Sequence, residues 1–273
     1  MDVLVTALSV AGGLLVGDAL EVPVERLGDH RPLDRPWWRC PGCSAPATGL
    51  GLVPLARVLA RRRGCPACGE PWPHPWRPAV LALVTAAVLG ALAVRFGPDL
   101  ALAPFAVLGI SLVAISAADL EHLIVPNRMV YPAIFLLAPL LVAASAADHR
   151  WDLLVRAAIA GVAAPAAFYA VHWLYPRISR AGDQGMGLGD VRLSALVGLA
   201  TGWLGLGHTF ISFFAGFLLG SVGGALLILV GRLGLKAGMK LRIPFGPYMA
   251  AGALVGVLAG NPLANLLFHP ATT

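Results

Sequence analysis

The segment Gly187-Leu188-Gly189-Asp190 begins one of the long apolar stretches of this chain, and a second acid, Asp119, ends another. Ionisable residues in membrane segments are costly, so two acids at matching depth on different predicted spans form a functional-site hypothesis. Two carboxylates that converge can share one proton, and this arrangement can activate water for peptide hydrolysis. The pattern predicts an aspartic protease whose site is built by membrane helices.

The composition indicates that the chain lies in a lipid bilayer. Of its 273 residues, 58% are hydrophobic and only 12% are charged, and the mean hydropathy is +0.78. An ordinary water-soluble domain does not carry so little charge on its surface. The net charge of +6 does not indicate a nucleic-acid partner, because the Lys and Arg residues are concentrated in a few connecting loops.

Eight apolar stretches approach the length of about 17 to 25 residues that a membrane-spanning helix needs. They are predicted at residues 3–22, 79–96, 100–118, 129–147, 153–175, 190–206, 208–230 and 245–262. The predicted fold class is therefore an all-α polytopic membrane protein. If the N-terminus lies outside, only Arg95, Arg150 and Arg156 of the 20 Lys and Arg face outward. The excess of positive charge on the other side predicts that this side, with Asp119 and Asp190, faces the cytosol.

One long polar connection, residues 23–78, contains all four cysteines. The predicted domains are a first transmembrane helix (1–22), a cytosolic Cys-rich loop (23–78) and a polytopic membrane domain (79–273). Cys40-Pro41-Gly42-Cys43 and Cys65-Pro66-Ala67-Cys68 form two CxxC motifs, which are typical of a tetrahedral sulfur site for structural zinc. A redox dithiol or thiols without a metal remain alternatives. Four thiolates leave no open metal position for water, so the predicted role is structural.

The surroundings of the two acids admit a simpler interpretation as well. Asp119 can be an interfacial residue where a helix leaves the membrane, and Asp190 can cap a helix after a Gly-rich turn. However, Pro126 disfavours helical geometry at the residue before it, and Asn127 can cap the next helix. This predicts a tight re-entry into the membrane that holds Asp119 against the neighbouring helices. The irregular backbone before Asp190 is expected to line a hydrated cavity.

A third group of helix-breaking residues, Ile243-Pro244-Phe245-Gly246-Pro247-Tyr248, stands at the same predicted face. Together the three motifs resemble those of the type IV prepilin peptidases, which are GxGD aspartyl proteases. The resemblance covers roughly residues 105–262. It places the catalytic acids of the family at Asp119, followed by Val125-Pro126-Asn127, and at Asp190, within Gly185 to Leu193, where Arg192 replaces a Lys. The late Pro-Phe-Gly-Pro turn corresponds to Pro244 to Pro247.

The resemblance implies a substrate and a location. The substrate would be a pilin or pseudopilin precursor with a short basic leader, cut at the cytosolic boundary of the inner membrane. An extended substrate strand is expected to bind by its main chain near four residues: Gly187, Gly189, Pro244 and Gly246. Glu121 and Asp183 are candidates to attract the basic leader.

Some members of this family also methylate the new amino terminus with S-adenosylmethionine, and these members carry the paired CxxC loop. The cysteines match, but the exit of the loop does not. The Tyr-Pro-x-x-Glu segment of the family is here His74-Pro75-Trp76-Arg77-Pro78, with Arg77 and no acid, and the entry after the first helix also departs. S-adenosylmethionine is therefore expected as a cofactor only if methyl transfer is retained.

A competing class is a polytopic transporter, or a non-enzymatic pilus or secretion assembly protein. In such a protein the two acids would relay protons or anchor helices. Against a transporter, both acids lie near one face of the predicted bundle, away from the bilayer centre, and the chain has no duplicated halves.

Overall fold

The computed structural model describes residues 2–21, 23–24, 43, 45, 65, 67–69, 76–178, 186–230 and 244–268. Within these residues the chain forms eight α-helices and no β-strand. The helices are α1 (Asp2–Ala19), α2 (Arg77–Phe96), α3 (Leu102–His122), α4 (Asn127–Ala147), α5 (Trp151–Ile178), α6 (Leu188–Leu204), α7 (Leu206–Val230) and α8 (Gly246–Phe268). The predicted all-α fold is confirmed.

Six of these helices, α1 to α5 and α7, are long and apolar enough to cross a membrane. Helix α3 has 21 residues, which at about 1.5 Å per residue matches a hydrocarbon core about 30 Å thick. Helix α6 is shorter, with 17 residues, and α8 has an apolar segment from Gly246 to Gly260. The chain is a multi-pass membrane protein, as its composition indicated.

Helix α5 carries aromatic side chains at both ends. Trp151 and Trp173 are 55% and 51% exposed, and along a helix they are separated by about 33 Å. The guanidinium of Arg177 lies 3.5 Å from the centre of the Trp173 ring and donates to the Trp173 carbonyl. Trp and Arg favour the interface between lipid and water. The two ends of α5 therefore carry residues of the types that favour the two membrane surfaces.

Residues Met1–Pro98 form a compact unit in which α1 packs along α2. Two glycines one turn apart bring the helices together. A Cβ atom added at Gly13 would lie 2.6 Å from the Cα of Ala86, and one added at Gly17 would lie 2.6 Å from the Cα of Ala82. Small residues at this spacing let membrane helices approach closely, so α1 and α2 meet backbone to backbone.

A buried ion pair lies near the same helices. The guanidinium of Arg77 is 3.6 Å from the carboxylate of Glu21, and the two residues are 5% and 2% exposed. Buried charges need partners because desolvation is expensive. Pro78 stands where the family pattern has an acid, and the neighbouring Arg77 is paired with the carboxylate of Glu21.

Residues Asp99–Thr273 form the second compact unit, with helices α3 to α8. Helix α6 contacts each of the other five helices of this unit, and its residues Leu193, Leu196 and Val197 are fully buried. A Cβ at Gly198 would lie 2.5 Å from the carbonyl oxygen of Ala160, so α6 lies tightly against α5. This close packing fixes the central helix in place.

The C-terminal end of α3 differs from the prediction. The helix continues four residues beyond the predicted end at residue 118, so Asp119 lies in its last turn. It ends because Leu123 adopts a left-handed conformation (φ 54°), with its N–H donating to the carbonyl of Asp119 at 2.8 Å. The expected cap of α4 by Asn127 is wrong. Pro126 precedes the helix and no side chain caps it, because the Asn127 side chain has another partner, Arg192.

The packing of α1 on α2 gives a test with adjacent residues. We expect Gly13→Ala to lower the thermal unfolding midpoint of the detergent-purified protein, because the new methyl group would collide with the α2 backbone at a cost of about 1 to 3 kcal/mol. Gly12→Ala is the matched control, since a Cβ at Gly12 meets nothing within 4 Å. Equal midpoints for the two variants would contradict the close contact.

Candidate active site

Asp119 is a buried acid on α3 that is bound by the first residue of α8. Only 5% of the residue is exposed, and its Oδ2 atom accepts a hydrogen bond of 2.8 Å from the backbone N–H of Gly246. The N-terminus of a helix favours negative charge, since its backbone N–H groups lack partners within the helix. The start of α8 is therefore built to hold this carboxylate.

Gly246 is the residue type that this contact requires. A Cβ at position 246 would lie 2.7 Å from Oδ2 of Asp119, which is too close for a carbon and an oxygen that are not bonded to each other. Any other side chain would push the carboxylate or the helix aside. The Pro-Phe-Gly-Pro turn thus has a direct function in placing Asp119.

The second acid, Asp190, lies in the first turn of α6. Its backbone N–H donates to the carbonyl of Gly187 at 3.2 Å, and a Cβ at Gly187 would lie 3.3 Å from its Oδ2. Gly187, directly before the helix, therefore lies against the carboxyl group. Gly189, next to Asp190 in the chain, lies against Val125 in the turn that follows Asp119, so the two acid-bearing segments meet at this point.

The four glycine and proline positions expected to bind substrate differ in accessibility. Gly187 is exposed and Pro244 is partly exposed. Gly246 donates its N–H to Asp119, and a Cβ at Gly189 would lie 2.8 Å from the Cβ of Val125. Gly187 and Pro244 thus have surface open to a ligand, while Gly246 and Gly189 already serve contacts within the chain.

Helix α7 fixes where α8 begins. The ring of Phe245 packs on Phe217, with centroids 5.3 Å apart, and lies over Gly220, where an added Cβ would be 3.3 Å from it. The ring of Tyr248 lies against Gly223 in the same way. The small residues of α7 therefore form the surface that receives the two aromatic rings on either side of Gly246.

Sequence comparison identifies relatives of the whole chain. Residues 106–229 match the type IV leader peptidase family. The prepilin leader peptidase/N-methyltransferase of Bacillus subtilis (strain 168) is 31% identical, over 93% of this chain and 94% of that protein. The chain belongs to the type IV leader peptidase family.

Further relatives in this family extend the match. The prepilin leader peptidase/N-methyltransferase of Stutzerimonas stutzeri is 32% identical over 89% of this chain and 79% of that protein. The protein of the same name from Pseudomonas aeruginosa is 27% identical over 93% and 90%. No solved structure matches the chain. The matches include both the acids and the cysteine-containing loop, since they cover nearly the whole sequence.

Three of the four cysteines lie together. The sulfur atoms of Cys43, Cys65 and Cys68 are all within 4.8 Å of one another, and those of Cys43 and Cys65 are 3.7 Å apart. Thiolates at about 2.3 Å from a tetrahedral zinc ion are separated by about 3.8 Å, so this spacing fits a metal site. Cys40, the fourth predicted ligand, lies outside the described residues, as does Asp183.

Two residues near Asp190 were not found from the sequence. His172 on α5 is within 2.7 Å of the carbonyl of Met186 through its Nδ1 atom, which must donate because a carbonyl oxygen only accepts. Arg192 on α6 donates to Asn127 at the start of α4. Neither contact produces a periodic pattern in the sequence by which it could be predicted. The one visible signal was Arg192, which replaces the Lys of the family motif.

The Gly246 contact gives a direct test of how Asp119 is held. We expect Gly246→Ala to reduce the rate of peptide cleavage about a hundredfold, because a shift of about 1 Å in a reacting group has an effect of this size. Gly12→Ala is the same substitution at an open position and should leave the rate unchanged. The measurement is cleavage of a prepilin precursor by the purified protein. A fully active Gly246→Ala variant would contradict this role.

Proposed function

We propose that this protein is an aspartic endopeptidase that removes the leader from type IV prepilin-like precursors, with Asp119 and Asp190 as the catalytic acids. The observation that carries the proposal is the contact of the two acid-bearing segments at Gly189 and Val125, with α8 donating a backbone hydrogen bond to Asp119. Membership of the type IV leader peptidase family supports the same reaction.

The chemistry follows from two carboxyl groups that share one proton. Two like charges at close range cannot both form cheaply, so one carboxyl is protonated while the other is ionised. The ionised carboxylate accepts a proton from water, and the oxygen of that water attacks the scissile carbonyl carbon. The protonated carboxyl donates to the carbonyl oxygen as it becomes negative, and a proton then passes to the leaving amine as the C–N bond breaks. Either acid can take either role.

The site is placed to receive a substrate at the membrane surface. Asp119 lies in the last turn of α3, and Asp190 and Gly246 lie in the first turns of α6 and α8. Three helix ends therefore meet at one end of the bundle, where Gly187 is exposed and Asp190 is partly exposed. The excess of Lys and Arg predicted for this side supports a cytosolic face of the inner membrane.

The proposed substrate is a pilin or pseudopilin precursor, the class that the relatives are named for. Glu121 lies two residues after Asp119 on α3 and is partly exposed, and its negative charge suits a basic leader. Gly187 offers exposed backbone for main-chain hydrogen bonds to an unwound peptide. The alternative of a transporter or an assembly protein is less well supported, because both acids lie at helix ends and a transporter binds its substrate near the midplane.

Methyl transfer is a second candidate activity, since the relatives are named N-methyltransferases as well. S-adenosylmethionine would supply the methyl group for that reaction. The departures from the family at the exit of the loop, where Arg77 pairs with Glu21, argue that this chain cleaves without methylating. Most of the loop, residues 25–42 and 46–64, lies outside the described residues.

For the cysteine cluster we propose a structural zinc ion, held by Cys43, Cys65, Cys68 and Cys40. The loop is small and poor in apolar residues, so metal binding would supply folding free energy that packing cannot. No step of peptide hydrolysis is assigned to this metal.

The acids are tested by single substitutions. We expect Asp119→Asn and Asp190→Asn each to reduce cleavage of a purified prepilin precursor at least about a hundredfold, since an amide cannot exchange the proton that hydrolysis requires. Asp148→Asn, which alters an exposed acid between α4 and α5, is the matched control and should cleave normally. Mass spectrometry of the product reports both the cut position and any methyl group on the new amino terminus. Normal cleavage by either Asp→Asn variant would exclude the proposed mechanism.

The metal is tested independently of cleavage. We expect about one zinc ion per chain in the purified protein and very little in Cys43→Ser or Cys68→Ser, because each variant removes a thiolate ligand. Elemental analysis measures the zinc, and the same variants should unfold at a lower temperature while still cleaving precursor. Wild-type protein without zinc, or Cys→Ser variants that retain it, would contradict a structural zinc site.

A further inference from the structure

Arg192 makes a hydrogen bond that joins the two acid-bearing segments of the chain. Its Nη1 atom donates to Oδ1 of Asn127 at 2.7 Å, between residues 65 positions apart in sequence. Arg192 follows Asp190 by two residues on α6, while Asn127 is the first residue of α4, directly after the turn that leaves Asp119. The bond therefore connects the helix of one acid to the exit of the other.

A second contact lies one turn away on the same face of α6. Gly189 and Arg192 are three residues apart and so project from one side of the helix. Gly189 lies against Val125, where an added Cβ would be 2.8 Å away, and Arg192 reaches Asn127, two residues further along the turn. The first turn of α6 is thus attached to the Val125-Pro126-Asn127 turn at two points.

We propose that Arg192 is a positioning residue for peptide cleavage, which fixes the rotation of the first turn of α6 and thereby the approach of Asp190 to Asp119. This rests on the proposed function. Asp190 lies next to Gly189 in the chain and so projects from a different side of the helix. The body of α6 is held by the five helices around it. Its first turn lies at the end of that packing, and there the bond at Arg192 adds a second attachment to the contact at Gly189.

The residue types suit this role. The guanidinium has several N–H donors in a rigid plane, so it holds a defined geometry against a carbonyl oxygen. Asn127 is a neutral acceptor, so the bond does not cancel the charge of Arg192. The same charge is open to another use, binding an acidic group of the substrate or of a lipid, and the experiment must separate that use from positioning.

The test is a double-mutant cycle on the purified protein with a prepilin precursor as substrate. We expect Arg192→Gln and Asn127→Ala each to lower kcat about tenfold to a hundredfold, with KM changed less than about twofold, because misplaced reacting groups slow the chemical step. The double variant should be no slower than the slower single variant, since both remove the same bond. Arg192→Lys and Asn127→Asp retain a donor and an acceptor, and should recover most of the rate.

Arg128→Gln is the matched control. Arg128 is exposed on the next position of α4, and its substitution should leave kcat and KM unchanged. Losses that multiply in the double variant, a rise in KM with unchanged kcat, or full activity of Arg192→Gln would each overturn the inference. Rates are compared only among variants whose thermal unfolding midpoint and elution volume in size-exclusion chromatography equal those of the wild-type protein. If Asn127→Ala fails to fold, the comparison of Arg192→Gln with Arg192→Lys still tests the inference. Failure of the wild-type protein to cleave would instead reject the proposed function.

Discussion

The hydrogen bond from the backbone N–H of Gly246 to the carboxylate of Asp119 is the contact on which the site depends. A buried acid in a membrane protein is costly unless a donor replaces the water that it has lost. The start of α8 provides that donor, and only glycine leaves space for it. Phe245 and Tyr248 on either side pack into the small-residue surface of α7, so the position of one N–H group follows from the packing of two helices.

The second acid is placed by a different device. Helix α6 contacts all the other helices of its unit, and its glycines allow the backbone of α5 to approach closely. A helix that is enclosed in this way cannot shift easily, because packed interiors are dense and resist small displacements. Asp190 stands at the end of this fixed helix, where the first turn is attached to the Val125-Pro126-Asn127 turn. Rigid helices thus carry the acids, with Asp119 buried and Asp190 partly exposed at the helix ends.

The sequence was sufficient to predict the all-α fold, because continuous apolar stretches predict membrane helices regardless of their partners. The observed helix α7, Leu206–Val230, starts two residues before its predicted span. The end of α3 was predicted less well. The helix extends past residue 118 and includes Asp119. It ends only at Leu123, in a left-handed conformation that this residue type does not suggest.

The contacts that position the site could not be predicted from the sequence, because they join distant residues. Asn127 has the side chain of a helix cap, but its oxygen binds Arg192 on another helix. His172 contacts the carbonyl of Met186 across a gap of 14 residues, and nothing in either local sequence indicates the pairing. The aromatic rings on either side of Gly246 pack against glycines of α7. The role of these glycines is evident only when α8 is known to be the partner helix. The sequence shows which acids, donors and glycines the chain contains, but only the tertiary packing determines which of them come into contact.

An experimental structure of the purified protein in detergent or lipid nanodiscs, determined by electron cryomicroscopy, would measure the distance between the carboxyl groups of Asp119 and Asp190. If the two acids act on one water molecule, at least one pair of their oxygen atoms will lie within about 6 Å, since a bridging water spans two hydrogen bonds of about 2.8 Å. A separation well beyond that distance, with the two acids facing different sides of the bundle, would contradict the account.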